Sequence, residues 1–311
     1  MRVVFLGSGR FAVPALEALA AGGQELAAVV TQPDRPRGRG RGVTPPPTAP
    51  VAIRLGVPLL QPRRVKAPES VAALRQLGAD LHVVVAYGQI LSRELLEIPR
   101  LGSVNVHGSL LPRYRGAAPI QWAIASGETQ TGVSTMLLDE GLDTGPVLLQ
   151  RATEIGREET AEQLEPRLAR LGAALLSETL AGLAAGALTP TPQDDTRASL
   201  APLLRKSDAA VDWRRPAVAI ARRLRGFQPW PGATAWLAGR QLQLRRVRPL
   251  AGSAATPGEI RAIDGQGVRV ACGEGTELLL LEVQPESRRA MPAAGWARRG
   301  SGFDATPPVE A

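Results

Sequence analysis

The sequence predicts an α/β protein: a mostly parallel N-terminal sheet followed by a small β-barrel. Three observations carry this. Apolar runs at 2–7, 25–31, 57–60, 80–86 and 102–106 alternate with helix-patterned stretches near 48–55, 67–76 and 91–96, the rhythm of β/α units. The segment Thr189-Pro190-Thr191-Pro192-Gln193-Asp194-Asp195 interrupts that rhythm as a linker does. Beyond it, short runs at 234–237, 241–247, 258–263, 267–271 and 277–284 are separated by glycine turns, which suits a barrel of short strands. A chain of 311 residues is long enough for two domains. They are expected over 1–189 and 207–311, joined by a linker over 190–206.

Taken in order, the first strand, 2–7, opens at Gly7-Ser8-Gly9-Arg10-Phe11-Ala12. This matches G-x-G-x-x-A, and Asp34 follows at about the 20-residue spacing of a dinucleotide fingerprint, so an NAD(P)-dependent reductase is a rival reading. Pro14 opposes it. In a dinucleotide fold the helix starts near the second glycine, and Pro14 inside it would cost about 3 kcal/mol. It fits instead the first turn of a helix beginning near Val13. After the second strand, Arg35, Arg37, Arg39 and Arg41 alternate with proline and glycine and run into Pro45-Pro46-Pro47. No regular element is expected over 31–47; the stretch reads either as a disordered surface loop or as an arm that orders on phosphates. His82, inside Leu81-His82-Val83-Val84-Val85, reads as a strand residue rather than a catalyst. A helix is expected over 117–126, strands over 131–138 and 147–154, and a long helix over 160–186. The last dozen residues are expected to be disordered.

The stretch with most chemistry is Val104-Asn105-Val106-His107-Gly108-Ser109-Leu110-Leu111-Pro112, which holds one of the two histidines. Asn105 and His107 fall at the end of a buried strand, and a period of two puts them on one face. Ligands of open α/β sheets sit beyond the carboxyl ends of strands. An amide donor beside an imidazole there suits a carbonyl that becomes an oxyanion. Asp143, between Gly141 and Gly145, can sit in a tight loop and would orient the ring if the fold brings it close. Spacing alone leaves the plainer readings open: a satisfied structural histidine and an aspartate that forms a turn.

Composition narrows the classes. A single cysteine, Cys272, excludes an intrachain disulfide and a cysteine metal cluster, and two histidines make a structural zinc site unexpected, so no metal is called for. The run Met1–Gly7 is too short for a signal peptide or membrane span, which makes a cytoplasmic protein the expectation. Formal net charge is +8. Residues 1–200 carry 20 basic and 19 acidic groups, whereas 205–250 alone carry 11 and 2. Such a basic C-terminal third on a near-neutral body looks like a polyanion-binding appendage. The arginine usage of a GC-rich genome with a solvated face would give a similar balance.

Asn105–Pro112, Arg115-Gly116-Ala117-Ala118-Pro119-Ile120 and Gly141-Leu142-Asp143-Thr144-Gly145 together resemble the folate-dependent formyltransferases, and among them the tRNA-formylating members. The resemblance extends to Val211-Asp212-Trp213 and to Phe227-Gln228-Pro229-Trp230-Pro231-Gly232-Ala233, and so covers nearly the whole chain. It departs at Gly7-Ser8-Gly9-Arg10-Phe11, where the family typically has Gly-Thr-Pro-Asp/Glu-Phe. The resemblance implies a Rossmann-like sheet, an OB-like β-barrel and catalysis by Asn105, His107 and Asp143. It also implies that Ser109, Leu110, Leu111 and Pro112 line the folate site, with Gln89, Ile90 and Leu91 giving backbone contacts to the pterin. Arg35, Arg37, Arg39 and Arg41, in the basic insertion, and Lys206, the linker lysine, are the implied tRNA contacts. The implied activity is formyl transfer from 10-formyltetrahydrofolate to the amino group of methionyl initiator tRNA, by a bacterial monomer. Three rivals stand beside it. A formyltransferase for small amines would have no use for the basic arm. A hydrolase or dehydrogenase acting on formyl-folate itself is another, and no downstream dehydrogenase domain is expected to fit in the remaining length. A non-catalytic nucleic-acid-binding protein would have no use for Asn105, His107 and Asp143.

Overall fold

The computed structural model describes residues 1–37, 42–252 and 254–298. They form two compact units. The first comprises Met1–Ile120, Gln130–Glu154 and Gln163–Pro202; the second comprises Gln121–Thr129, Ile155–Glu162 and the chain from Leu203 onward.

The elements up to residue 184 are β1 (Arg2–Gly7), α1 (Val13–Ala21), β2 (Glu25–Val30), β3 (Arg35–Arg37), β4 (Gly42–Thr44), α2 (Ala49–Arg54), β5 (Leu59–Leu60), α3 (Pro68–Gln76), β6 (Leu81–Val85), α4 (Arg93–Leu96), β7 (Ser103–His107), α5 (Pro119–Ser126), β8 (Gln130–Leu137), β9 (Val147–Glu154) and α6 (Ala161–Ala184). The main sheet runs β5-β2-β1-β6-β7-β8-β9. Its first five strands are parallel, while β8 and β9 are antiparallel to their neighbours. The inner strands are apolar on both faces because both faces are covered. Val3 and Phe5 join a core with Leu16 of α1 and Leu176 of α6, and Val4 and Leu6 join another with Leu74 of α3 and Leu95 of α4. Pro14 sits in the first turn of α1, as its fixed φ and missing N–H require.

Two segments differ from expectation. The stretch 31–47 does contain regular structure: β3 and β4 pair antiparallel, Arg35 opposite Thr44 and Arg37 opposite Gly42. A two-stranded ribbon has only edges, so Pro36 can occupy a strand position without breaking an interior ladder. The other is α7 (Ala217–Phe227), a helix within the arginine-rich stretch that follows the linker, where the sequence reading places none. Its buried Ala217, Ile220, Ala221 and Leu224 recur at helical spacing, while the arginines between them mask the pattern.

Beyond α7 the second unit holds β10 (Ala233–Leu237), β11 (Arg240–Ala251), β12 (Ile260–Ile263), β13 (Val268–Cys272), β14 (Thr276–Pro285), β15 (Met291–Pro292) and α8 (Ala293–Arg298). The strands form an antiparallel sheet ordered β10-β11-β14-β13-β12, with β15 on β14. Alternate residues Leu242 and Leu244, Val268 and Val270, and Leu278 and Leu280 bury against α7 and Trp296 of α8. The final dozen residues lie outside the described chain. No helix among the described residues is long and apolar enough to cross a membrane.

Candidate active site

β7 is the last parallel strand of the main sheet, with parallel β6 on one side and antiparallel β8 on the other. Val104 and Val106 point into the core under α1 and α6, which leaves Asn105 and His107 together on the opposite face. Both are buried, at 9% and 6% exposure. Among the described residues the Asn105 amide makes no hydrogen bond, so its N–H groups are free for a ligand.

His107 has two partners. Its Nε2 lies 2.9 Å from the Tyr114 carbonyl oxygen. A carbonyl only accepts, so Nε2 carries the proton. Its Nδ1 lies 3.6 Å from Asp143 Oδ2, too long for a formed hydrogen bond but close enough for charge to be felt. Asp143 Oδ2 also accepts from the Gly116 backbone N–H at 2.8 Å. The fold thus brings Asn105, His107 and Asp143 to one place. Both groups that face the imidazole come from strained backbone: Tyr114 has φ +61° and Asp143 φ +53°. For Tyr114 that left-handed conformation costs about 1–2 kcal/mol, whereas an aspartate such as Asp143 tolerates it at lower cost.

The Ser109–Pro112 segment is stitched to β8 and β9. Ser109 Oγ donates to the Arg113 carbonyl at 2.6 Å, and the Ser109 carbonyl accepts from Ser134 Oγ at 2.7 Å. Ser134 Oγ in turn accepts from the Leu111 N–H and from Gln150 Nε2. The Ser109 hydroxyl is thus fully buried and occupied, and Leu111 is buried, whereas Leu110 and Pro112 are half-buried. Beyond the end of β6, the Gln89 side chain accepts from the Val65 N–H and donates to the Pro62 carbonyl. Ile90 is 87% exposed and Leu91 is buried.

The glycine loop after β1 does not match a dinucleotide site. Ser8 and Gly9 both donate their backbone N–H to the Ala86 carbonyl, so neither is left for a pyrophosphate. Ser8 Oγ accepts from the Gln32 N–H and donates to the Tyr87 carbonyl, tying the ends of β1, β2 and β6. Arg35 is exposed on β3 and donates to Gln32 Oε1 at 2.9 Å. Arg37 lies on β3 opposite Gly42. Arg39 and Arg41 lie outside the described residues. Lys206, in the second unit, is exposed at the start of a 3₁₀ turn, Lys206–Ala209.

Sequence reasoning misses Tyr114, whose contribution is a main-chain carbonyl and leaves no mark in residue identity. It also misses Gln193. Among prolines and aspartates that residue reads as linker, yet its Nε2 donates to the carbonyls of Asp143, at 2.8 Å, and Gly145, at 2.7 Å.

Comparison with known proteins bears on this site. The formyl transferase family profile matches residues 1–180, and the formyl transferase C-terminal domain profile matches 203–300. A methionyl-tRNA formyltransferase of Solibacter usitatus (strain Ellin6076) is 53% identical over 298 residues, covering 96% of this chain and 95% of its own. That of Myxococcus xanthus (strain DK1622) is 51% identical, covering 94% and 93%. In fold, the chain is similar to an N-formyltransferase from Helicobacter canadensis in complex with folinic acid and dTDP-3-aminofucose, with TM-score 0.66, 15% identity and coverage of 89% and 98%. HypX from Aquifex aeolicus in complex with tetrahydrofolic acid aligns with TM-score 0.61 at 18% identity over 95% of this chain. This chain spans 46% of that HypX chain.

Proposed function

From the premise that the chain belongs to the formyl transferase family, we propose that it transfers a formyl group from 10-formyltetrahydrofolate to the α-amino group of methionine on initiator tRNA. The observation that carries the chemistry is the free Asn105 amide beside the His107–Asp143 pair at the carboxyl end of β7.

The folate supplies an electrophilic formyl carbon on a nitrogen that becomes the leaving group. Attack by the neutral amine forms a carbon–nitrogen bond and puts negative charge on the formyl oxygen. Asn105 donates to that oxygen from a fixed, buried position, where a hydrogen bond is worth more than in water. His107, with Nε2 held by Tyr114, presents the Nδ1 edge toward the Asp143 carboxylate. Collapse breaks the bond to the folate nitrogen, which takes up the proton that the attacking amine gives away, relayed by His107 or by water. Exposed Ile90 and half-buried Leu110 and Pro112 are the surfaces proposed to receive the pterin, with backbone of Gln89 and Leu91.

The tRNA contacts are assigned to Arg35, Arg37, Arg39, Arg41 and Lys206, and to the arginine-rich second unit, read as an OB-like barrel over 207–311. The excess of positive charge at 205–250 supports this. We place the enzyme in the cytoplasm, acting as a monomer.

The test is formylation of methionyl initiator tRNA from 10-formyltetrahydrofolate by the purified protein, beside a His107→Ala variant. Formyl-methionine formed by the parent and not by the variant is the expected result. Turnover of nucleotide-sugar amines instead of charged tRNA would move the assignment to a small-amine acceptor, and no turnover with any acceptor would overturn it.

A further inference from the structure

Residues 191–201, which the sequence reads as linker, touch both partners of His107. Thr191 pairs with Val147 at the head of β9 through reciprocal backbone hydrogen bonds of 2.8 Å. Gln193 then clamps the Asp143 loop, donating from one amide nitrogen to the carbonyls of Asp143 and Gly145. The orientation of that amide is fixed from the other side. Arg115, buried at 6% exposure, donates Nε and Nη2 to Gln193 Oε1 at 3.0 and 2.8 Å, and Nη2 also reaches Asp195 at 2.7 Å. Further on, Ser199 Oγ accepts from the Tyr114 N–H at 2.9 Å, and the Ser199 carbonyl accepts from the Arg115 N–H at 2.8 Å. The Ala201 N–H donates to the Arg115 carbonyl at 2.7 Å.

We propose that residues 191–201 are a strap that holds His107 in its working orientation, with Gln193 as the positioning residue for Asp143 and Ser199 for Tyr114. Strain and support coincide at this segment. The groups that face the two ring nitrogens sit on the left-handed residues Tyr114 and Asp143. Such conformations persist only where the surroundings over-determine them. Here one segment, 191–201, supplies hydrogen bonds to both loops. Arg115 and Gly116 add a cross-link: the Arg115 side chain sets Gln193, while the Gly116 N–H binds the Asp143 carboxylate directly. Without the strap, either loop can relax toward an ordinary backbone conformation, and the Nδ1–carboxylate separation is no longer set.

The strap rests on the formyl-transfer reading, and its test separates the two. Gln193→Glu keeps the side-chain length and the bond to Arg115 but replaces the donating amide by a carboxylate facing two carbonyl oxygens. A role limited to holding Arg115 would survive this change; a clamp on Asp143 would not. Expected is a fall in kcat on the order of 10- to 100-fold, with KM for both substrates and the melting temperature little changed. Ser199→Ala, which removes the acceptor for the Tyr114 N–H, should act in the same direction. A second readout needs no substrate. The chain has two histidines, so the side-chain ¹⁵N resonances of His107 and of His82 can each be followed in the ligand-free variants. Shift or broadening of the His107 signals with His82 unmoved supports the strap, whatever the reaction is. Parental kcat together with unmoved His107 resonances in both variants would overturn it.

Discussion

At the scale of single residues, the site is defined by which groups are occupied and which are free. Ser109, Ser134, Gln89 and Gln150 look polar enough for catalysis, but each is bound to backbone or to a neighbouring side chain. Asn105 makes no such bond among the described residues, and for that reason it is the residue proposed to donate to the developing oxyanion. Removing one such donor typically lowers the rate by about 10²–10³-fold. Asn105→Ala should therefore depress kcat by that order while folate affinity, read by fluorescence titration, stays near the parental value. An unchanged kcat would remove Asn105 from the chemistry. Asn105 and His107 are legible in the sequence because a strand's period of two is strict. Asp143 is legible only as a residue between two glycines; its approach to His107 depends on a loop that the sequence does not orient.

At the scale of elements, the arginine ribbon and the strap show the same limitation from two directions. The ribbon β3/β4 is hidden in the sequence because proline and glycine argue against strands, and those arguments apply to interior strands rather than to an isolated pair. The strap is hidden because proline-rich, polar composition describes how a segment starts and stops, not what its carbonyls and amides bind. The role proposed for the basic segment 35–41 is open to direct measurement. Arg39→Ala with Arg41→Ala should raise KM for charged tRNA and leave folate binding alone. The slope of log KM against log salt should fall by about 1 for each phosphate no longer neutralised. The same slope in variant and parent would dissociate the arm from the tRNA backbone.

For the whole molecule, stability carries the imprint of one buried group. His82 on β6 is fully buried, and neither ring nitrogen has a partner among the described residues. Burial pushes its pKa down to about 4 from 6.5. Above pH 6.5 it is neutral in the folded and unfolded chain alike. As pH falls from 6.5 toward 4 the unfolded chain binds a proton that the fold refuses, so stability is progressively lost across that window, by about 3 kcal/mol at most. Urea titrations at pH 7, 5.5 and 4.5 should show this decline, and His82→Leu should flatten it. An equal decline in the variant would assign the pH dependence to other groups.

The sequence alone carries the order of most strands and helices and the pairing of Asn105 with His107, because these follow from periodicity and helix-start signals along the chain. Its motifs also carried the family resemblance. Tertiary structure alone decided that Asp143 faces His107, that Tyr114 supplies a carbonyl to the ring, and that a linker-like segment braces both. Those facts turn largely on backbone groups, which every residue carries alike, meeting across separations of up to 85 residues. No residue identity announces where its carbonyl points, so only the folded chain shows it.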